Sequence, residues 1–225
     1  MTPSQILSER RSIRAFQNKP VSVGTVTAII EAARHTASSS NMQPWRLYAM
    51  AGDDLDRLRD AVRNSLAANP TGEGAEYKIY AEPLKDIYSA RRKQCAEDMY
   101  SRIGIARENK LGRMMQFSRN FDFFGAPVGM ILAIDRTMEP GQWADVGMFL
   151  QSLLLVAHEH GLGTCAQAAW AAMPKTVRAH LEMPPELMIF CGISMGYADP
   201  DAPINATFTG RVDFDAIASL RGFVA

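Results

Sequence analysis

The 225-residue chain predicts one mixed domain of helices and strands, an α/β domain on its residues alone. Two runs predict the strands: Pro127-Val-Gly-Met-Ile-Leu-Ala-Ile134 and Leu187-Met-Ile-Phe-Cys-Gly-Ile-Ser-Met195 are nearly continuous apolar stretches, as strands buried on both faces should be. Between them, Trp143 to His160 places Val146, Phe149, Leu150, Leu153, Leu154 and Ala157 on one stripe of a long helix. The composition, 47% hydrophobic and 21% charged, is that of a globular protein and excludes disorder and fibrous repeats. A chain this long buries roughly 70–75% of its unfolded surface, so a core needs no staples.

The opening of the chain reads helix, arm, helix. Val26, Ile29, Ile30 and Ala33 form the apolar stripe of the second helix, with Pro20 and Ser22 marking its start and Ser22 placed to cap it. Thr36 to Asn41 is small and polar, a loop. Trp45 to Ala51 has strand character, and Leu55, Leu58, Ala61 and Val62 mark another helix. Asn69 to Gly74 reads as a surface loop. Residues 85–119 carry nine basic and four acidic side chains with aromatics and methionines interleaved, a charged helical excursion suited to a lid. Met148 and Leu155 lie off the stripe of the 143–160 helix, so that helix is central or packs on another subunit. Gly161 stops it. Phe208, Phe214, Ile217, Leu220 and Phe223 in the tail also need cover that a partner chain could supply. No repeat or linker divides residues 1–225, so one domain is expected.

Several function classes fall away. Net charge is zero, 24 basic against 24 acidic residues, which argues against nucleic acid as a partner. No apolar run reaches the ~18 residues of a membrane span. Cys95, Cys165 and Cys191 are odd in number and widely spaced, which suits a reducing compartment. With no signal-peptide pattern at Met1 to Gln5, the expectation is a cytoplasmic protein. Gly192-Ile-Ser194-Met-Gly196 spells a nucleophile elbow, but the next segment, Tyr197 to Pro203, cannot be a helix, and no histidine comes later. His158 and His160 point about 200° apart on a helix and share no metal, so no metal site is expected. Gly161-Leu-Gly163 lacks the strand and helix of a dinucleotide fingerprint.

Two clusters remain. Arg10-Arg11-Ser12-Ile13-Arg14 packs three guanidiniums and a hydroxyl into five residues, a donor set suited to phosphate. Ser38-Ser39-Ser40-Asn41-Met42-Gln43-Pro44-Trp45 joins short hydrogen-bonding side chains to an apolar wall and can meet the polar edge of a heterocycle.

With these segments the chain resembles the FMN-dependent nitroreductase family from end to end. The stretches that carry the resemblance are Glu9-Arg-Arg-Ser-Ile-Arg-Ala-Phe16 with Pro20 and Val21, Ala32 to Trp45, and Asp145-Val-Gly-Met-Phe-Leu-Gln-Ser-Leu with Gly161-Leu-Gly163. The middle of the chain and Cys165-Ala-Gln-Ala-Ala-Trp170 are most similar to the nitrobenzoate and dinitroaniline reductases. The resemblance implies an α+β fold, a central and mainly antiparallel sheet flanked by helices, in an intertwined homodimer with FMN at the subunit interface. It implies that Arg10, Ser12 and Arg211 bind the FMN phosphate, with Arg11 beside them, and that Arg14 lies near the ribityl chain and the N1/O2 edge. Ser38, Ser39, Ser40, Asn41 and Gln43 would come across from the second subunit, and Gln167, Ala168 and Ala169 would present backbone groups to the isoalloxazine. Other members often carry a glutamate at the Ala168 position, so a carboxylate role there is not expected. The implied activity is ping-pong reduction of nitroaromatic compounds with NAD(P)H as co-substrate and no side chain attacking covalently. Reduction of free flavin, quinones or enones, reductive dehalogenation, or FMN storage on the same fold are the alternatives. Tyr88, Arg119 and one or more of Phe117, Phe121, Phe123 and Phe124, Phe124 first, are candidate substrate contacts. Arg91, Arg92, Arg113 and Arg119 are candidate partners for a substrate carboxylate.

Overall fold

Each face of one four-stranded sheet carries its own helical layer in the computed structural model, which describes residues 1–224. Strands β1 (Trp45–Ala51), β2 (Val128–Asp135), β3 (Gly163–Gln167) and β4 (Leu187–Gly196) lie in the order β1-β2-β4-β3, and every pairing is antiparallel. The sheet is therefore that of an α+β fold, which corrects the α/β reading and agrees with the resemblance. The apolar runs are strands buried on both faces, as expected. Continuous hydrophobicity reports burial on two faces, and strand direction is not part of that signal.

The two-sided burial can be traced along β2. Val128, Met130, Leu132 and Ile134 point into one core with Ile29 and Ala33 of α2 (Val23–Ala33) and Val146, Phe149, Leu153 and Ala157 of α6 (Pro140–Glu159). Ile131 and Ala133 point the other way, against Leu55, Leu58 and Val62 of α3 (Gly52–Ala68) and Val177 of α7 (Pro174–Leu181). Leu132 pairs with Cys191 and Ala133 with Ile189, so Phe190 is the extra residue of a bulge in β4.

The caps behave as their chemistry requires. Ser22 Oγ accepts the Thr25 amide at 3.0 Å and starts α2. Helix α1 (Pro3–Glu9) opens with a capping box of Thr2 and Gln5. Helix α6 begins at Pro140, three residues before Trp143, because proline is welcome at the first helical position and Glu139 with Gln142 caps it. Gly161, at φ +74°, ends that region. The lid segment forms α4 (Asp86–Arg102) and α5 (Lys110–Ser118), neither with a fully buried residue. Strand β3 carries no apolar run or alternation that marks it in the sequence. No helix among the described residues is long and apolar enough to cross a membrane.

Candidate active site

The arm between α1 and α2 is pinned at several points. Ser12 bridges Thr164 of β3, and the Ile13 amide donates to the Thr164 carbonyl at 2.9 Å. Farther on, Phe16 bridges Ala198 and the Gln17 amide donates to Tyr197 at 2.9 Å. Gly163 permits this close approach, since a Cβ there would stand 2.6 Å from Ile13 Cγ1. Asn205 completes the attachment. Its Oδ1 accepts the amides of Arg14 (2.8 Å) and Ala15 (3.2 Å), and its Nδ2 donates to the carbonyls of Ala15 (2.8 Å) and Asp199 (2.9 Å). One amide side chain thereby satisfies four main-chain groups and orients the residue that carries the Arg14 guanidinium. Nothing in Asp-Pro-Asp-Ala-Pro-Ile-Asn distinguishes this Asn from an ordinary turn residue.

With the arm fixed, a cleft of about 650 Å³ opens between it, the tail at 207–211 and the helices α4 and α5. Arg10, Arg11, Ser12 and Arg14 line it from the arm, and Arg211 joins them from the tail. Arg92 of α4 is the fifth arginine, and no Asp or Glu is among the lining residues. The donors are short of acceptors: Arg10 Nε is buried without a hydrogen-bond partner among the described residues. Burial holds the Arg10 pKa below its ordinary value, and the nearby Arg211 charge depresses it further. An anion placed among them would relieve both effects. Cys165 forms part of the wall as a neutral thiol, because burial pushes its pKa up against the opposing pull of Arg14, Ser12 and Arg10.

The opposite side of the cleft is apolar. Met99 and Tyr100 of α4, Phe117 of α5 and Phe124 line it. Phe123 and Phe124 both sit in the left-handed region, at φ 49° and 55°, a conformation costing about 1–3 kcal/mol per residue. The surroundings hold them there. Phe123 stacks on the buried Trp170 at 4.1 Å, Arg119 Nη2 reaches the Phe124 carbonyl at 3.4 Å, and Arg59 Nη2 donates to the Ala126 carbonyl at 2.7 Å. Of the four phenylalanines, Phe123 belongs to the core and Phe121 packs edge-on against Trp170 at 5.8 Å, while Phe117 and Phe124 meet the cleft. Tyr88 is exposed on α4 and lies outside the lining.

The remaining predicted segments lie elsewhere in the protomer. Ser38 to Gln43 packs on α6, where the Ser39 amide donates to both oxygens of the buried Asp145 at 3.1 and 3.2 Å. The Gln43 amide donates to Ser38 Oγ at 3.0 Å, and Ser40, Asn41 and Gln43 all have φ between 50° and 56°. Asp145 is the residue that holds this strained loop, a role its place in a helix motif did not reveal. Gln167 is buried at the end of β3. Its Oε1 accepts Ser194 Oγ at 2.6 Å, and its Nε2 donates to the Asn120 carbonyl at 2.7 Å. Ala168 and Ala169 come next, half-buried, in a 3-10 turn. Ser194 lies fully buried within β4, in a strand rather than at a nucleophile elbow.

The profile of the Nitroreductase family matches residues 7–197, a span holding the arm, the sheet and the roof of the cleft. The chain belongs to the nitroreductase family. Among its curated relatives is the nitrobenzene nitroreductase of Ectopseudomonas oleovorans, 34% identical over 93% of this chain and 92% of the relative. The 4-nitrobenzoate reductase of Pseudomonas putida is 33% identical over 97% of this chain and 95% of its own length. The crystal structure of the FMN and NADPH-dependent nitroreductase NfnB from Sphigopyxis sp. strain HMH superposes with a TM-score of 0.95 at 39% identity, covering 99% of this chain and 100% of that one. As a nitroreductase, this chain places its five-arginine cleft between the N-terminal arm and a tail segment that lies beyond the matched span.

Proposed function

We propose that the protein is an FMN-dependent nitroreductase that uses NAD(P)H to reduce nitroaromatic compounds, nitrobenzoates included. The observation that supports it is the convergence of Arg10, Arg11, Ser12 and Arg14 from one end of the chain with Arg211 from the other, in a cleft lined by no carboxylate. The relatives are named for this chemistry, and the residues present fit a mononucleotide phosphate. The unpartnered Arg10 Nε and the mutually opposed charges of Arg10 and Arg211 ask for a dianion.

Arg10, Ser12 and Arg211 would hold the phosphate, with Arg11 at its rim. Arg14, fixed through Asn205, would lie along the ribityl chain and supply positive charge at the N1/O2 edge. The chemistry that FMN supplies when bound is two-electron transfer from NAD(P)H to a nitro group. The protein's part is to orient, to exclude water and to present donors. Phe117, Phe124 and Tyr100 would form the apolar wall beside an aromatic substrate. Backbone groups of Gln167, Ala168 and Ala169 would face the ring.

Ser38 to Asn41 and Gln43 would reach the cofactor of a second copy, since in their own protomer they lie on α6 and not at the cleft. Exposed apolar side chains support a homodimer: Met148 of α6 is 44% exposed, and Phe208, Ile217 and Phe223 of the tail are 60%, 73% and 76% exposed. Residues 85–119 roof the site within a single domain. The cytoplasm, which supplies NAD(P)H and keeps three free cysteines reduced, is the compartment this reading favours.

An anaerobic absorption spectrum tests the proposal. The purified protein, supplied with FMN, should show bound flavin that NADPH bleaches and that nitrobenzene restores. Protein that takes up no flavin contradicts the reading, and flavin that NADPH leaves oxidised points to storage instead.

A further inference from the structure

We propose that Arg92 forms a second anion subsite in the cleft, one that takes the anionic substituent of the small ligand lying over the flavin. The inference rests on the nitroreductase reading above and adds a specificity residue to it.

Of the six arginines of the lid segment, Arg91, Arg92, Arg113 and Arg119 are the candidates for the role, and three of these four are paired elsewhere or lie outside the lining. Arg113 forms a bidentate pair with Glu97, Nη1 to Oε1 at 2.9 Å and Nη2 to Oε2 at 2.7 Å. Its Nε is used as well, donating to the Ala106 carbonyl at 3.2 Å. Arg119 is turned toward the Phe124 carbonyl and does not line the cleft. Arg91 lies outside the lining, with its guanidinium 5.9 Å from the exposed Tyr88 ring. Arg92 alone of the four lines the cleft, and among the described residues it makes no ion pair and no hydrogen bond. Its guanidinium is laid on the Tyr80 ring at 4.0 Å, and Tyr80 is itself part of the lining. Such a stack fixes the plane of the fork without using any of its five N–H donors. The exposed guanidinium is oriented, and its donors are open to a ligand.

Electrostatics favour a second anion over any other occupant. One phosphate offsets at most two of the five positive charges that line the cleft, and no carboxylate offsets the rest. In a chain of zero net charge, this concentration of cations in one concave site draws anionic ligands in. The remaining lining near α4 and α5, Met99, Tyr100 and Phe117, suits the aromatic body that would carry such a substituent. Two ligands of the reaction bear one: a nitroaromatic carboxylate, or NADPH through its 2′-phosphate. Both offer oxygens that a guanidinium fork can bind in pairs.

The test compares the FMN-loaded wild type with Arg92→Gln and Arg92→Lys, using 4-nitrobenzoate against nitrobenzene as substrate and NADPH against NADH as reductant. Loss of one charged hydrogen-bond pair should lower the ratio of kcat/KM for 4-nitrobenzoate over nitrobenzene by roughly tenfold to hundredfold in Arg92→Gln. Arg92→Lys should recover part of it by charge alone. A fall confined to the NADPH over NADH ratio assigns the subsite to the 2′-phosphate instead. Calorimetry of 4-nitrobenzoate against nitrobenzene on the oxidised FMN-loaded protein reads the same preference without turnover, so the subsite is testable even if the enzyme reading fails. Ratios that stay within twofold of wild type in both comparisons overturn the proposal. So does Arg92→Gln that no longer retains FMN, because Arg92 would then belong to the phosphate grip.

Discussion

Asn205 shows how one polar side chain can set the geometry of a charged site it does not enter. Its four hydrogen bonds lie within the attachment between arm and tail, so truncation leaves partly buried amides and carbonyls without partners. Asn205→Ala is expected to cost about 1–3 kcal/mol in denaturant unfolding and to weaken FMN binding, while Arg10 and Arg211 remain in place. Full FMN affinity in a protein destabilised by that amount would detach Asn205 from the site. The contrast with Arg10, Arg11, Ser12 and Arg14 explains what was legible at this scale. Three cations and a hydroxyl in five residues announce an anion whatever the fold, but an Asn in a Pro/Asp loop announces only a turn. Asp145 was equally silent, because a carboxylate near a helix start reads as a favourable end charge until the Ser39 amide is found above it.

At the scale of elements, α2, α3 and α6 could be read from periodicity, α7 could not, and three of the four strands could be read from apolar runs or strand character. The one missed, β3, contains Gly163, Thr164, Cys165, Ala166 and Gln167, small and mixed residues whose strand character comes from pairing with β4 and not from propensity. Helix α7 owes its start to a residue far away in sequence. Glu73 accepts the amides of Lys175 at 2.7 Å and Thr176 at 3.0 Å, the Ser65 hydroxyl at 2.6 Å, and the Thr176 hydroxyl. Burial alone would push the Glu73 carboxyl up, but those hydrogen bonds outweigh it and leave its pKa below the ordinary value of 4.5. A depressed folded-state pKa means stability that is present above the unfolded-state pKa and lost as pH falls through the folded one. Glu73→Ala should therefore cost about 1 kcal/mol at pH 7, the usual worth of a helix cap. The gap to wild type should narrow as the pH drops below 4.5. A gap that stays constant from neutral pH to strongly acid pH would show that the carboxylate charge contributes nothing.

For the whole molecule, the arrangement explains why arm and tail, the two ends of the chain, carry the cations of the phosphate grip while the sheet adds only wall and main-chain groups from β3. The sheet is a rigid plate buried on both faces, and its edge strand β3 supplies the surface on which the arm lies. Strand direction was the part of the fold that hydrophobicity could not reveal, and the resemblance supplied it. The apolar tail was legible as unsatisfied, and it remains exposed along Phe214, Ile217, Leu220 and Phe223, as a segment destined for a second copy would be in one protomer alone.

In the proposed site, guanidiniums from both ends of the chain grip the phosphate of FMN. Titration of the flavin-free protein with FMN and with riboflavin, in wild type and in Arg10→Ala, isolates that grip. Wild type should bind FMN far more tightly than riboflavin, and Arg10→Ala should lose about 1.5–3 kcal/mol toward FMN with little change toward riboflavin. Equal affinity of the wild type for the two flavins would mean that no phosphate grip exists.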